Sequence, residues 1–182
     1  MTNLPNPIRR HVLLALALAA GAIAPMARAQ EGDHDKVAEA IQKAGGKVER
    51  DEKDKAILAV NFATSKATDA DLEPLKGLNR VQKLTLNNTK ITDAGLEHLK
   101  GLTSLRKLYL VDTDVTDAGL EALKGLTELQ VLSLVGTKVT DAGLEHLKEL
   151  KNLEELFVSG TKVTEEGASK LKEALPKVKI DR

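Results

Sequence analysis

Cysteine is absent from this chain of 182 residues, so no disulfide framework supports it and its stability must come from packing. A chain without cysteine suits an oxidising or a reducing compartment equally. Aromatic residues are nearly as scarce: there is no tryptophan, and one tyrosine and two phenylalanines make up 2% of the sequence. The core is therefore expected to be aliphatic, mainly leucine and valine, each contributing about 1.5–3 kcal/mol when fully buried. An excess of one charge is missing too, with 27 Lys and Arg against 27 Asp and Glu. That balance leaves no basic footprint of the kind nucleic-acid binders carry, and no nucleic-acid partner is expected. Long hydrophobic runs stop short as well. The stretch from Val12 to Ala24 falls below the ~20 apolar residues of an ordinary membrane span.

That stretch has another reading. Arg9-Arg10 precede it and Ala27-Arg28-Ala29 follows it, the layout of a secretory signal peptide with a small-residue cleavage site after Ala29. The arginine pair leaves Sec and twin-arginine export both open. Removing residues 1–29 deletes three arginines and no acid, leaving 24 Lys and Arg against 27 Asp and Glu. The expectation is a secreted or periplasmic protein of the cell envelope, with no stable membrane span after signal cleavage.

What the sequence has in abundance is repetition. Ile91-Thr92-Asp93-Ala94-Gly95-Leu96-Glu97-His98-Leu99-Lys100 returns as Val115 to Lys124 and again as Val139 to Lys148, a period of 24 residues. A fixed period of this length means stacked repeats. Five successive units meet the minimum of about three needed to bury a continuous core. Each unit carries two periodicities. Lys83-Leu84-Thr85-Leu86-Asn87 alternates as a half-buried strand does, whereas Leu96 and Leu99 lie three apart on a helical face. Thr92, Thr116, Thr140 and Thr164 are placed to cap the helices, with Asp93, Asp117, Asp141 and Glu165 favourable in the first turn. Gly95, Gly119 and Gly143 are expected to let helix and strand approach closely. Ahead of the repeats, Asp33 to Ala44 reads as a short helix stopped by Gly45-Gly46, followed by two extended stretches around a charged turn. The predicted organisation is a signal peptide over 1–29 and an N-terminal capping segment over 30–55. About five repeats follow over 56–173, the first and last degenerate, and then a C-terminal cap over 174–182.

The pattern Leu-x-x-Leu-x-Leu-x-x-Thr-x-Val-Thr-Asp-x-Gly-Leu-x-x-Leu resembles the leucine-rich repeat, particularly the helical, ribonuclease-inhibitor-like subtype also found in the repeat halves of F-box proteins. The resemblance covers residues 56–182 and extends to secreted bacterial leucine-rich repeat domain proteins. It implies an α/β solenoid with parallel strands on the concave face and short helices on the convex face. In place of the family's usual asparagine, which bonds backbone along the stack, this chain has Thr89, Thr113, Thr137 and Thr161. A threonine ladder is expected to serve the same turn.

Chemistry is hard to assemble from these residues. His98 and His146 lie two repeats apart, at least about 10 Å at the strand spacing of a sheet, too far to share one metal ion. Asp33-His34-Asp35 reads as helix capping, Ala44-Gly45-Gly46-Lys47 as a helix stop, and Asn87-Asn88-Thr89, a match to a glycosylation acceptor, as part of a strand. No nucleophile, base and orienting acid come together, so no catalytic, cofactor or metal residue is assigned and no enzyme is expected. A binding face, by contrast, has residues. Strand positions alternating with the buried leucines line the concave surface, and the candidates for contact with a partner are Lys83, Thr85, Asn87, Lys107, Tyr109, Val111, Val135 and Phe157. Exposed aromatics beside exposed valines are what an interface core tends to contain. The reading is a non-enzymatic, monomeric module for a protein or peptide ligand. The alternatives are a structural or self-assembling envelope protein and, by F-box analogy alone, a substrate-receptor-like role without an F-box.

Overall fold

The structure is a computed structural model that describes residues 34–182; the signal peptide read over 1–29 lies outside the described residues. Each 24-residue period folds as its two periodicities require. The alternating stretch forms a strand of three residues whose central side chain points inward. These strands are β3 (Lys83–Thr85), β4 (Lys107–Tyr109), β5 (Val131–Ser133) and β6 (Glu155–Phe157). Before them come β1 (Lys47–Arg50) and β2 (Ile57–Asn61), and after them β7 (Lys179–Asp181). All seven form one sheet in chain order, antiparallel between β1 and β2 and parallel from β2 onward. The register puts Val60, Leu84, Leu108, Leu132, Leu156 and Ile180 in one row. Leu84, Leu108, Leu132 and Leu156 have no exposed surface, and the second strand leucines Leu86, Leu110 and Leu134 are equally covered. Burial along this row is the main favourable term holding repeat to repeat.

The helical half of each unit is short. α1 covers residues 34–43. α2 (Asp93–Leu96), α3 (Asp117–Leu120) and α4 (Asp141–Leu144) are four residues each and run into 3-10 turns at Glu97–Leu99, Glu121–Leu123 and Glu145–Leu147. A single turn is not stable by itself in water, so these segments exist because Leu96, Leu99 and their equivalents dock onto the sheet. The first repeat uses a 3-10 helix over Asp69–Leu75, and the last a longer α5 (Glu165–Ala174).

The threonines cap as expected. The hydroxyls of Thr92, Thr116 and Thr140 accept from the backbone N–H of Ala94, Ala118 and Ala142 at 3.2–3.3 Å, and that of Thr164 accepts from Gly167 at 3.1 Å. The aspartates do more than sit in the first turn. Asp69, Asp93, Asp117 and Asp141 each reach into the next repeat, where one carboxylate oxygen accepts from the backbone N–H of Thr92, Thr116, Thr140 or Thr164 at 2.7–2.8 Å. The other oxygen accepts from the hydroxyl of the same threonine at 2.6–2.7 Å. Each capping threonine therefore receives from its own helix and donates to the previous one. The two bonds from Thr164 hold the Asp141 carboxyl below the usual carboxylate value.

This ladder corrects the reading of the helix glycines. A Cβ on Gly95, Gly119, Gly143 or Gly167 would land on the carboxylate of Asp69, Asp93, Asp117 or Asp141. The glycine makes room for the aspartate of the preceding repeat, not for closer approach of helix and strand. The threonines Thr89, Thr113, Thr137 and Thr161 are corrected too. Each hydroxyl donates to the carbonyl three residues back, at Leu86, Leu110, Leu134 or Val158, 2.6–2.8 Å away, so they close a turn within their own repeat and form no ladder.

The ladder also ends deliberately. Thr68 has no earlier aspartate, and both its backbone N–H and its hydroxyl donate to Asp71 of its own helix, 2.8 and 2.9 Å away. At the other end Glu165 stands where an aspartate would be and pairs with Arg182. The β1–β2 hairpin lies over the first repeat and is tied to it by Arg80, which pairs with Asp51 and Asp54.

Candidate binding face

The strands carry three columns of side chains away from the core. In register, the first reads Ala59, Lys83, Lys107, Val131, Glu155, Lys179, and the second Asn61, Thr85, Tyr109, Ser133, Phe157, Asp181. The third continues past the strand ends as Asn87, Val111, Val135 and Ser159, one period apart. The chain then turns through a left-handed residue in every repeat: Thr64, Asn88, Asp112, Gly136 and Gly160, with φ between 52° and 72°. Side chains other than glycine adopt this region at a cost, which the stack repays by pairing Asn88 N–H with Val111 O and Asp112 N–H with Val135 O, both 2.8 Å. At Gly136 a second constraint applies, because the Asp112 carboxylate occupies the space a Cβ would take.

The candidates do not fare alike. Lys83 and Lys107 are exposed; Thr85, Tyr109, Val111, Val135 and Phe157 are half-buried and lie together on one surface. Asn87 is half-buried as well, but its carboxamide oxygen accepts from the backbone N–H of Val111 at 3.0 Å. Its first duty is therefore to the bend, which also explains why Asn87-Asn88-Thr89 behaves as framework, with Thr89 buried. Ser133 departs most from the open concave position its strand pattern predicts: only 4% of its surface is exposed. It lies between Tyr109 and Phe157 in register, and bulky neighbours on both sides leave a small side chain little access to solvent. The two aromatic positions are two strands apart, about 10 Å, with Ser133 as the floor between them.

Two charged residues beside this face escape the alternation argument. Arg106 and Glu154, each one residue before its strand, are exposed at the sheet edge next to Lys107 and Glu155. Aligning the pre-strand position of every repeat, Gln82, Arg106, Gln130 and Glu154, is the signal that finds them. At the N-terminal end of the face, a recess of about 230 Å³ opens among Lys47, Glu49, Ala59, Asn61, Lys83 and Thr85.

The convex side carries two of the histidines. His98 and His146 sit in the 3-10 turns of the first and third full repeats. Asp35, of the Asp33-His34-Asp35 stretch, lies in the first turn of α1 and pairs with Arg50. Among the described residues no group of three or more His, Cys, Asp or Glu is placed to hold a metal ion, and no helix is long and apolar enough to cross a membrane.

The Leucine Rich repeat family profile matches residues 101–124, one full period. No curated protein sequence matches the chain. Among solved structures, an internalin of Listeria monocytogenes is similar over 60% of this chain and 30% of its own, with 25% identity and a TM-score of 0.53. The PEPR1–AtPEP1 complex matches over 74% of this chain and 19% of its own, with 19% identity and a TM-score of 0.49. A leucine-rich repeat protein of Leptospira interrogans matches over 62% and 33%, with 20% identity and a TM-score of 0.44. The chain thus spans less than a third of the length of that internalin. Leucine-rich repeats commonly mediate protein–protein binding and are typically non-enzymatic. With its 24-residue period, its single mostly parallel sheet alternating with short helices, and the family match inside that period, this chain folds as a leucine-rich repeat solenoid.

Proposed function

We propose that the chain is an exported, non-enzymatic, monomeric recognition module whose concave sheet takes a protein loop or peptide. The observation that carries this reading is the pair of half-buried aromatics, Tyr109 and Phe157, flanking the covered Ser133, with Val111 and Val135 beside them. The only other aromatic residue, Phe62, is wholly buried in the core. A chain that is so poor in aromatics yet places two of its three on one open face has the ingredients of a contact centre, since rigid aromatic anchors dominate interface energetics. The three concave positions on each of β3 to β6, twelve in all, are fewer than the roughly 20–30 residues per side of a standard interface, so the ligand is small or uses only a loop. Export rests on the leader-like residues 1–29.

The test is affinity capture from the exported fraction with wild type and with Tyr109→Ala/Phe157→Ala. The double variant is expected to keep its circular dichroism spectrum and lose its captured partner; capture that survives the change refutes the reading. Sequencing the exported protein should give an N-terminus at Gln30. Finding the full-length chain only in the cytosol argues against export.

A further inference from the structure

The concave face is electrically polar along the stack. β3 and β4 supply Lys83 and Lys107, with Arg106 beside them at the edge; β6 supplies Glu155, with Glu154 beside it. β5, between the two groups, contributes only Val131 and, at the edge, Gln130. The flanking strands add no net charge: β1 has Lys47 and Glu49 on the recess, and β7 has Lys179 and Asp181. Among the described residues none of Lys83, Arg106, Lys107, Glu154 and Glu155 forms an ion pair, whereas the convex lysines Lys100, Lys124 and Lys148 each pair with the glutamate three residues back. These convex lysines are thus neutralised locally, while the charges of β3, β4 and β6 stand separated by sign, with the aromatic column alongside.

We propose that the occupant of this face is an extended peptide segment running across the strands. An apolar residue sits between Tyr109 and Phe157, an acidic block faces Lys83, Arg106 and Lys107, and a basic block faces Glu154 and Glu155. The assignment rests on the concave-face reading above and adds the chemistry of the ligand to it. Dimensions agree. From β3 to β6 is three strand spacings, about 14 Å, which an extended chain covers in four to five residues at about 3.3 Å each. Opposite charge at both ends fixes the register of such a segment, which an apolar centre cannot do.

The probe is a dye-labelled peptide, Asp-Asp-Ser-Leu-Ser-Lys-Lys, compared by fluorescence anisotropy with Asp-Lys-Ser-Leu-Ser-Asp-Lys, which has the same composition with the charges mixed. The block peptide is expected to bind about tenfold more tightly at low ionic strength, and the preference is expected to shrink toward unity near 0.5 M salt as screening shortens the range of the charges. Arg106→Glu/Lys107→Glu should remove the preference. Adding Glu154→Lys/Glu155→Lys should restore it, because the peptide can turn end for end. Equal affinity for the two peptides, or no effect of Arg106→Glu/Lys107→Glu, overturns the proposal. So does sedimentation showing self-association that the same charge changes abolish, since the polarity would then serve a second copy of the chain. If Tyr109→Ala/Phe157→Ala still abolishes capture of the natural partner while the block peptide fails, the charge assignment falls and the concave face stands; if capture too is unaffected, both fall.

Discussion

On the convex side the residue that opens each helix is Asp69, Asp93, Asp117 and Asp141 in successive repeats; on the concave side the central strand column reads Thr85, Tyr109, Ser133 and Phe157. Both positions recur every 24 residues and both lie at the surface of the stack. The difference is in their partners. Each aspartate is bonded to a threonine of the next repeat and is accommodated by a glycine there, so a change at one position strands two groups elsewhere. A side chain of the central concave column meets its neighbours in the column and solvent, and none of Thr85, Tyr109, Ser133 and Phe157 is held by a side-chain hydrogen bond to the next repeat. Repetition therefore marks internal obligation, and variation marks the side where that obligation is weakest.

The widest separation between the two sides should come from the core they share. Leu108→Ala, at the centre of the leucine row, is expected to cost about 2–5 kcal/mol in chemical denaturation. A loss below about 1 kcal/mol would place the residue outside the core.

Next comes the ladder itself. Asp117→Ala leaves the Thr140 N–H and hydroxyl without their acceptor and is expected to cost about 1–3 kcal/mol. Gly143→Ala should be destabilising in the wild type, where the new methyl meets the Asp117 carboxylate. In the Asp117→Ala background only the flexible end of Leu120, 3.1 Å away, still crowds the new methyl, and the same change should cost much less, as alanine is the better helix former by about 1 kcal/mol. The two changes are thus expected to couple by more than about 0.5 kcal/mol; additivity would break the proposed pairing.

A smaller effect should appear on acidification. The Asp141 carboxyl is held below its ordinary value of 3.8 by the bonds from Thr164, so the folded state prefers it charged. The stability this confers is fully present above 3.8 and is lost as pH falls through the lower, folded value. The stability gap between wild type and Asp141→Asn should be steady at neutral pH and close below about pH 4, the usual range of an aspartate. A gap that persists to pH 2 would mean that the charge is not what the threonine reads.

Least of all should follow from Thr85→Ala. At the half-buried head of the concave column, where no side-chain bond holds the threonine, the change is expected to stay within about 0.5 kcal/mol. A cost near that of Asp117→Ala would erase the distinction between the two sides.

Much of this was legible before any coordinates. The alternation in Lys83-Leu84-Thr85 and the spacing of Leu96 and Leu99 placed strand and helix, and the threonine ahead of each helix announced its cap. The aspartate ladder was not legible, because Asp93 and Thr116 are 23 residues apart, one short of the period. Aligning equals with equals can never bring them into one column; they meet only when a helix start is stacked on the residue preceding the next. Ser133 escaped for a related reason. Alternation says which side of the strand it leaves from, but its exposure depends on how large the neighbours are on β4 and β6.

By itself, then, the sequence determined the period, the aliphatic core and which residues leave the sheet on the side away from it, because these follow from local spacing and from the preference of apolar side chains for burial. Only the tertiary structure decided what Asp117 holds, why Gly143 must lack a side chain, and that Lys107 and Glu155 stand in one row two strands apart. Each of these joins residues of different repeats, and their distances exist only once the repeats are stacked.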